Sequence, residues 1–345
     1  MNKAIKAAIL GAGSWGTALA LVLARRGHQV VVWGRPEDGM KSMEEKRENK
    51  LLPGVNLDST IRFTTDLATA AAGADMVVLS VPAQAIRGVV KDLKPVLNPA
   101  SLVVNTAKGI EVNSLKPLSQ VVAEELGGEI LDRYAVLSGP THAEEVARSV
   151  PTAIVVAARH SDIAYRVQDA FMCSVFRVYT NPDVTGVEVG GALKNIIALG
   201  TGIAEGLGLG DNSRAALLTR GLTEIARMGT AMGAQQLTFV GLAGVGDLVV
   251  TCGSMHSRNR RCGILLGKKV PAAEAMAQIG MVVEGVTTTQ AAYQLAAKLG
   301  LEMPITNGIY NVLYQNADPE KVMWELMSRS RKHESEEILK QINEW

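Results

Sequence analysis

Gly11-Ala12-Gly13-Ser14-Trp15-Gly16 is the stretch that decides the fold. It has GxGxxG spacing and stands between an apolar run, residues 4–10, and a helical pattern, residues 14–26. Glycines at this spacing permit a tight turn and let the backbone approach a pyrophosphate at the helix N-terminus. The same spacing also occurs in ordinary Gly-rich turns. After the first strand of a strand–helix–strand unit it predicts a dinucleotide site, with Gly11, Gly13 and Gly16 as its cradle.

Outward from that turn, short apolar runs alternate with helical patterns. Residues 29–33 read as the second strand, and residues 37–50 as a charged, helix-prone stretch interrupted by Gly39. A weak strand at 61–63 is followed by a strong one at 76–81, stopped by Pro82. Residues 102–105, 134–137, 153–157 and 176–179 extend the series. This alternation predicts an α/β fold: a Rossmann-like, mostly parallel sheet in the N-terminal half. Asn181-Pro182-Asp183 is a turn suited to cap a new helix. Beyond residue 184 strand-like runs nearly vanish, and residues 213–232, 286–299 and 319–327 carry helical periodicity. The expected division is a dinucleotide-binding domain at 1–186 and an all-helical substrate domain at 187–345, since 345 residues are long for one core. The charged stretch 328–345 reads as a terminal helix or tail with a solvated face.

Composition narrows the function classes. Thirty-five basic and 34 acidic residues leave a net charge of +1, so no global field invites nucleic acid or an anionic membrane. Cys173, Cys252 and Cys262 form no CxxC pair, which fits free thiols in a reducing compartment. The N-terminus shows no signal-peptide pattern. A cytoplasmic enzyme without stable membrane insertion and without a metal is expected.

Several side chains outside the glycine turn can carry chemistry. Lys194 is the one charged residue between Glu188 and Glu205, inside Gly190-Gly191-Ala192-Leu193-Lys194-Asn195-Ile196-Ile197. Buried there, its ammonium loses hydration and its pKa falls toward neutrality, which suits a general acid or base; alternatively it snorkels to water. Lys108, in Asn105-Thr106-Ala107-Lys108-Gly109, follows a strand where α/β sheets place their ligand crevice, or it is a surface lysine. Ser138-Gly139-Pro140-Thr141-His142-Ala143 ends another strand; its amides can serve cofactor or substrate, with Thr141 a possible N-cap and His142 given no catalytic role. Asp247 sits beside glycines in Gly244-Val245-Gly246-Asp247 and either holds an ammonium or caps a helix. Ser257-Arg258-Asn259-Arg260-Arg261 is the densest basic cluster. A guanidinium fork beside an amide suits a phosphate monoester, whereas base-stacking aromatics are missing from its neighbourhood. Arg35, after the second strand, suits a 2′-phosphate or is an exposed loop arginine. Glu284 can accept hydrogen bonds from a ribose or nicotinamide, or cap a helix.

Taken together, these motifs resemble the bacterial type of NAD(P)-dependent glycerol-3-phosphate dehydrogenase, from Gly11 through Gly285. The most specific stretches are residues 186–221, around Gly190-Gly191-Ala192-Leu193-Lys194-Asn195, and residues 241–263, around Gly244-Val245-Gly246-Asp247 and Ser257-Arg258-Asn259. The resemblance implies a 6-phosphogluconate-dehydrogenase-like architecture, NAD(P)H as cofactor, a small phosphorylated substrate and a homodimer supplying phospholipid precursor. It implies Lys194 as proton donor and acceptor, Lys108 on substrate, and Asp247 with Thr251 in support. Arg258 and Asn259 would hold the substrate phosphate, with Ser257, Asn195, Gly139 and Thr141 also on substrate. Ser14, Trp15, Lys108, Arg35, Ala143, Arg258, Val282 and Glu284 fall at cofactor positions. His142 stands where many relatives have phenylalanine. Two rivals remain at this point. Another β-hydroxyacid-type dehydrogenase would also use a helix lysine, and a non-catalytic NAD(P) sensor would leave Lys194, Asp247 and Arg258 without a role.

Overall fold

The computed structural model describes residues 4–331 and Glu334; most of the charged C-terminal stretch lies outside the described residues. Eight strands form one sheet: β1 (Lys6–Leu10), β2 (Gln29–Trp33), β3 (Arg62–Thr64), β4 (Met76–Leu79), β5 (Leu102–Asn105), β6 (Tyr134–Ser138), β7 (Thr152–Ala158) and β8 (Phe176–Asn181). Their order is β3-β2-β1-β4-β5-β6-β7-β8. Every neighbouring pair is parallel except β6 and β7, which run antiparallel. The central strands are continuous apolar runs because helices cover both faces. Ile9, Val78 and Val104 pack toward Leu19 and Leu23 on one side, while Ala8, Val77 and Val103 pack toward Ile86 and Val90 on the other.

The helix-prone stretch after β2 is shorter than its composition predicts. Gly39, at φ +81°, divides a 3-10 turn (Pro36–Asp38) from a helix (Met40–Lys46), and Arg47 turns left-handed at φ 55°. Residues 47–50 are therefore not helical, and Glu48 instead bridges to Asn56.

The sheet ends at Asn181 and helices begin at Val184. The turn between them caps the first helix as its sequence suggests: the Asp183 carboxylate accepts the Gly186 N–H at 2.8 Å. That helix, Val184–Gly206, is buried at every residue from Gly186 to Ala204. It is long and apolar enough to cross a membrane by length and composition, but its whole apolar window is covered by the protein. Helix Arg258–Gly267 crosses it at backbone contact. A Cβ on Gly202 would stand 2.2 Å from Arg260 O, and one on Gly263 2.2 Å from Leu199 O. Two four-residue glycine spacings, 202/206 and 263/267, thus hold the second helix against the C-terminal end of the first.

Candidate active site

Lys194 lies in the middle of the core helix, 6% exposed. The glycines before it decide what it meets. A Cβ on Gly190 would lie 2.6 Å from Ala243 O, and one on Gly191 would lie 2.7 Å from Ser138 Oγ and beside the Lys108 stem. Only glycines let the sheet's crevice and the 242–246 segment close on the helix from two sides. That segment is a single π turn, Leu242–Gly246, which delivers Asp247 at the head of helix Asp247–Gly253. Such turns interrupt the regular ladder and are frequent at functional sites.

Asp247 is fully buried and its carboxylate is divided between two ammoniums. Lys108 Nζ donates to Oδ2 at 2.5 Å and to Gly139 O at 3.1 Å. Lys194 Nζ donates to Oδ1 and, at 2.6 Å, to Thr251 Oγ1. The alternative reading of Asp247 as a helix cap is not realised, since no side chain caps that helix. One carboxylate cannot neutralise two ammoniums, so the cluster carries an excess proton. Burial is the largest influence on Lys194; together with the Lys108 charge it outweighs the pull of Asp247 and brings the pKa down to about 8. Burial works against the Asp247 carboxylate, yet Lys108 and Lys194 together hold it below its ordinary value.

The basic turn is joined to the neighbour of Lys194 through Asn259, and there the structure sorts residues of one composition into different tasks. Ser257 Oγ accepts the Arg260 N–H at 3.2 Å and caps the helix. Arg258 donates to Val282 O at 2.8 Å; burial lowers its pKa from the ordinary guanidinium value, and the charges of Glu284 and Glu144 oppose that shift. Asn259 accepts the Gly285 N–H and gives one Nδ2 proton to Asn195 Oδ1, each at 2.9 Å, which leaves one amide proton for a ligand. Arg260 is no ligand donor: it is spent on Glu205, at 2.7 and 2.9 Å, and on Gly253 O. The Asn195–Asn259 bond couples the neighbour of Lys194 to the basic turn.

The dinucleotide end is set by the turn after β1. Gly11 has φ +125°, and a Cβ there would press on Ser80 O at 2.6 Å; one on Gly16 would fall 2.0 Å from Gly11 O. Gly13 faces open space. Helix Ser14–Arg25 has no side-chain cap and no acidic residue in its first turn, so its leading N–H groups are free for a phosphate. Glu284 bridges the two halves by accepting the Ala83 N–H at 3.0 Å through Oε1. Burial pushes its carboxyl pKa up, and Oε2 has no partner. Trp15 Nε1, Ser138 Oγ and Thr288 Oγ1 are likewise buried without partners. Orphaned buried groups are costly unless a ligand completes them, and this set fits a polar cofactor lying across the strand ends.

Two candidates are placed differently from their expected local roles. Thr141 does not cap: it donates to Gly139 O at 3.1 Å, and His142 holds the cap position before Ala143, without a side-chain cap bond. Arg35, 63% exposed at the side chain, is already paired with Asp38 at 3.0 Å and Glu37 at 3.2 Å. Thr288 stood in no motif, and Ser138 was read only for the backbone amides of its stretch; the burial of their unpartnered hydroxyls singles them out.

A Rossmann-type sheet whose strand ends face a buried lysine–carboxylate cluster on a helical partner domain defines a nicotinamide-dinucleotide oxidoreductase. The chain belongs to the NAD-dependent glycerol-3-phosphate dehydrogenase family. The model of that family's N-terminus matches residues 6–164, and that of its C-terminus residues 183–324. A glycerol-3-phosphate dehydrogenase [NAD(P)+] of Syntrophomonas wolfei is 57% identical over 341 residues, 99% of each chain. One from Moorella thermoacetica is 58% identical, covering 95% of this chain and 97% of that protein. The crystal structure of glycerol-3-phosphate dehydrogenase from Coxiella burnetii superposes with a TM-score of 0.90 at 41% identity, covering 94% of this chain and 99% of that one.

Proposed function

We propose that the protein catalyses the reversible reduction of dihydroxyacetone phosphate to sn-glycerol 3-phosphate, with Lys194 as general acid and base. The observation that carries this reading is the Lys108–Asp247–Lys194 cluster, tied to the basic turn by the hydrogen bond from Asn259 to Asn195. When bound, NAD(P)H supplies the hydride that the substrate carbonyl carbon accepts. Lys194 then gives a proton to the carbonyl oxygen as negative charge grows there. Lys108, paired with Asp247, stabilises that oxygen in a site largely shielded from water. Asp247 and Thr251 hold the amine in place before and after transfer. Arg258, Asn259 and Ser257 bind the phosphate, and that remote binding positions the carbonyl. Gly11, Gly13, Ser14, Trp15, Gly16, Ala143, Val282 and Glu284 hold the cofactor, with Arg35 at its adenosine edge. The sheet half, to about residue 186, is the cofactor domain, and the helices beyond it supply the acid–base groups. We place the enzyme in the cytoplasm as a homodimer supplying glycerophospholipid synthesis. Exposed Trp324 and Met327, beside a largely apolar cavity of about 880 Å³, support self-association.

The test is cofactor oxidation by the purified protein with dihydroxyacetone phosphate, run separately with NADH and NADPH. Absence of turnover with both overturns the reading. The pH dependence follows from Lys194. Reduction uses the ammonium, so its rate is expected to fall as pH rises through about 8; oxidation uses the free amine and rises through the same pH. Initial rates in both directions across that pH check the opposed limbs. Arg258→Ala is expected to raise KM for the phosphorylated substrate by roughly 10–100-fold, the worth of one or two charge-assisted hydrogen bonds. An unchanged KM contradicts the phosphate role.

A further inference from the structure

The His142 ring stands on the loop after β6, and its Nε2 is buried without a hydrogen-bond partner. Its ring centroid lies 5.5 Å from that of His256, tilted by 49°. His256 immediately precedes Ser257 and Arg258, and its N–H is tied to Ser254 Oγ at 3.1 Å. The charged and titratable groups around His142 are Lys194 on the core helix, His256 on the opposite domain, and Glu144 and Glu145 on its own short helix. The His256 contact places the imidazole beside the start of the basic turn. The His142 side chain caps no helix. A buried ring nitrogen left unpaired is unfavourable, a cost removed when a ligand oxygen accepts its proton.

We propose that His142 is a substrate-binding residue, donating from Nε2 to a phosphate oxygen of the substrate, with the exposed His256 ring beside it. The inference rests on the triose phosphate reading above and extends its phosphate site to the sheet domain, so that substrate is gripped from both halves. Burial and the Lys194 charge both favour the neutral imidazole, which carries one N–H for this purpose. Phosphate at this position draws the β6 loop toward the basic turn across the crevice.

The experiment compares wild type, His142→Phe and His142→Gln. Phenylalanine keeps the ring's bulk and removes the donor; glutamine restores an N–H at similar reach. Expected for His142→Phe is a KM for dihydroxyacetone phosphate about ten-fold higher, an unchanged KM for the cofactor, and weaker competitive inhibition by inorganic phosphate. His142→Gln is expected within about two-fold of wild type on all three. A His142→Phe enzyme with unchanged KM and unchanged phosphate inhibition overturns the assignment. So does a rise confined to the cofactor KM, which would move the contact to the dinucleotide, or a His142→Gln enzyme as impaired as His142→Phe. Wild type is assayed first: no turnover there overturns the reaction itself, and inorganic phosphate binding to wild type and His142→Phe then tests the contact alone.

Discussion

Lys194→Met is expected to lower turnover by about 10²–10⁴-fold in both directions, the range of a positioned general acid–base group, while NADH binding is retained. The fold should survive because Asp247 keeps Lys108 at 2.5 Å and no buried carboxylate is left unpaired. The methionine occupies the path of the lysine stem, and a desolvated ammonium is removed from the core, so the melting temperature is not expected to fall. Steady-state kinetics, cofactor titration and thermal unfolding of one preparation check the three parts. Near-normal turnover removes Lys194 from the mechanism; loss of NADH binding together with turnover would mean a damaged architecture and not a missing proton.

Asp247→Ala is expected to do more, and in a pH-dependent way. Its carboxylate is the counter-ion of both ammoniums, at a site with no solvent exposure. Removing one partner of a buried ion pair commonly costs about 3–5 kcal/mol, because the remaining charge is uncompensated. Lys194 has an escape, since it can give up its proton. In the variant, burial and the Lys108 charge still push its pKa down while the opposing pull of Asp247 is gone, so it falls further below about 8. The sign follows: the stability loss relative to wild type is expected to be largest at acidic pH, where charging Lys194 is forced, and smaller once the amine is neutral. Reduction at neutral pH is expected to drop by roughly 10²–10³-fold, and its high-pH limb to move to lower pH. Asp247→Asn, which keeps the volume, separates the charge from the cavity. Denaturant unfolding on either side of pH 8 that showed equal losses would contradict this account.

Much of the first half is legible along the chain. A glycine turn between an apolar run and a helical pattern reports a local steric demand, as the contacts Gly11 and Gly16 make confirm. Continuous apolar runs report strands covered on both faces, and β4 and β5 are buried throughout. The candidate site was legible as residue types near strand and helix ends, but the division of labour among them was not. Arg258 and Arg260 are two residues apart in one basic run, yet one donates beside the site and the other is a strut to Glu205. Thr141 and Asp247 both look like caps, and neither caps: the Thr141 hydroxyl donates back to Gly139 O within its own loop, and the Asp247 carboxylate is taken by Lys108 and Lys194 from distant segments. Thr288 had no local signature at all, and the Ser138 stretch announced its backbone amides but not the Ser138 hydroxyl.

By itself, then, the sequence determined the periodicities, the cofactor turn, the change from sheet to helices and the presence of an isolated lysine in an apolar helix. These depend on short-range sterics and on which side of an element water is excluded from. The tertiary structure alone decided that Lys194 would meet Asp247, 53 residues away, and that Asp247 would also hold Lys108, 139 residues away. It also decided the contest over the proton. The energy of a buried charge is set by every group around it, and those groups come from chain segments whose approach no local pattern records. Gly190 and Gly191 settle it by admitting the π turn on one side and the sheet crevice on the other, so that burial outweighs the carboxylate and the amine holds its proton loosely.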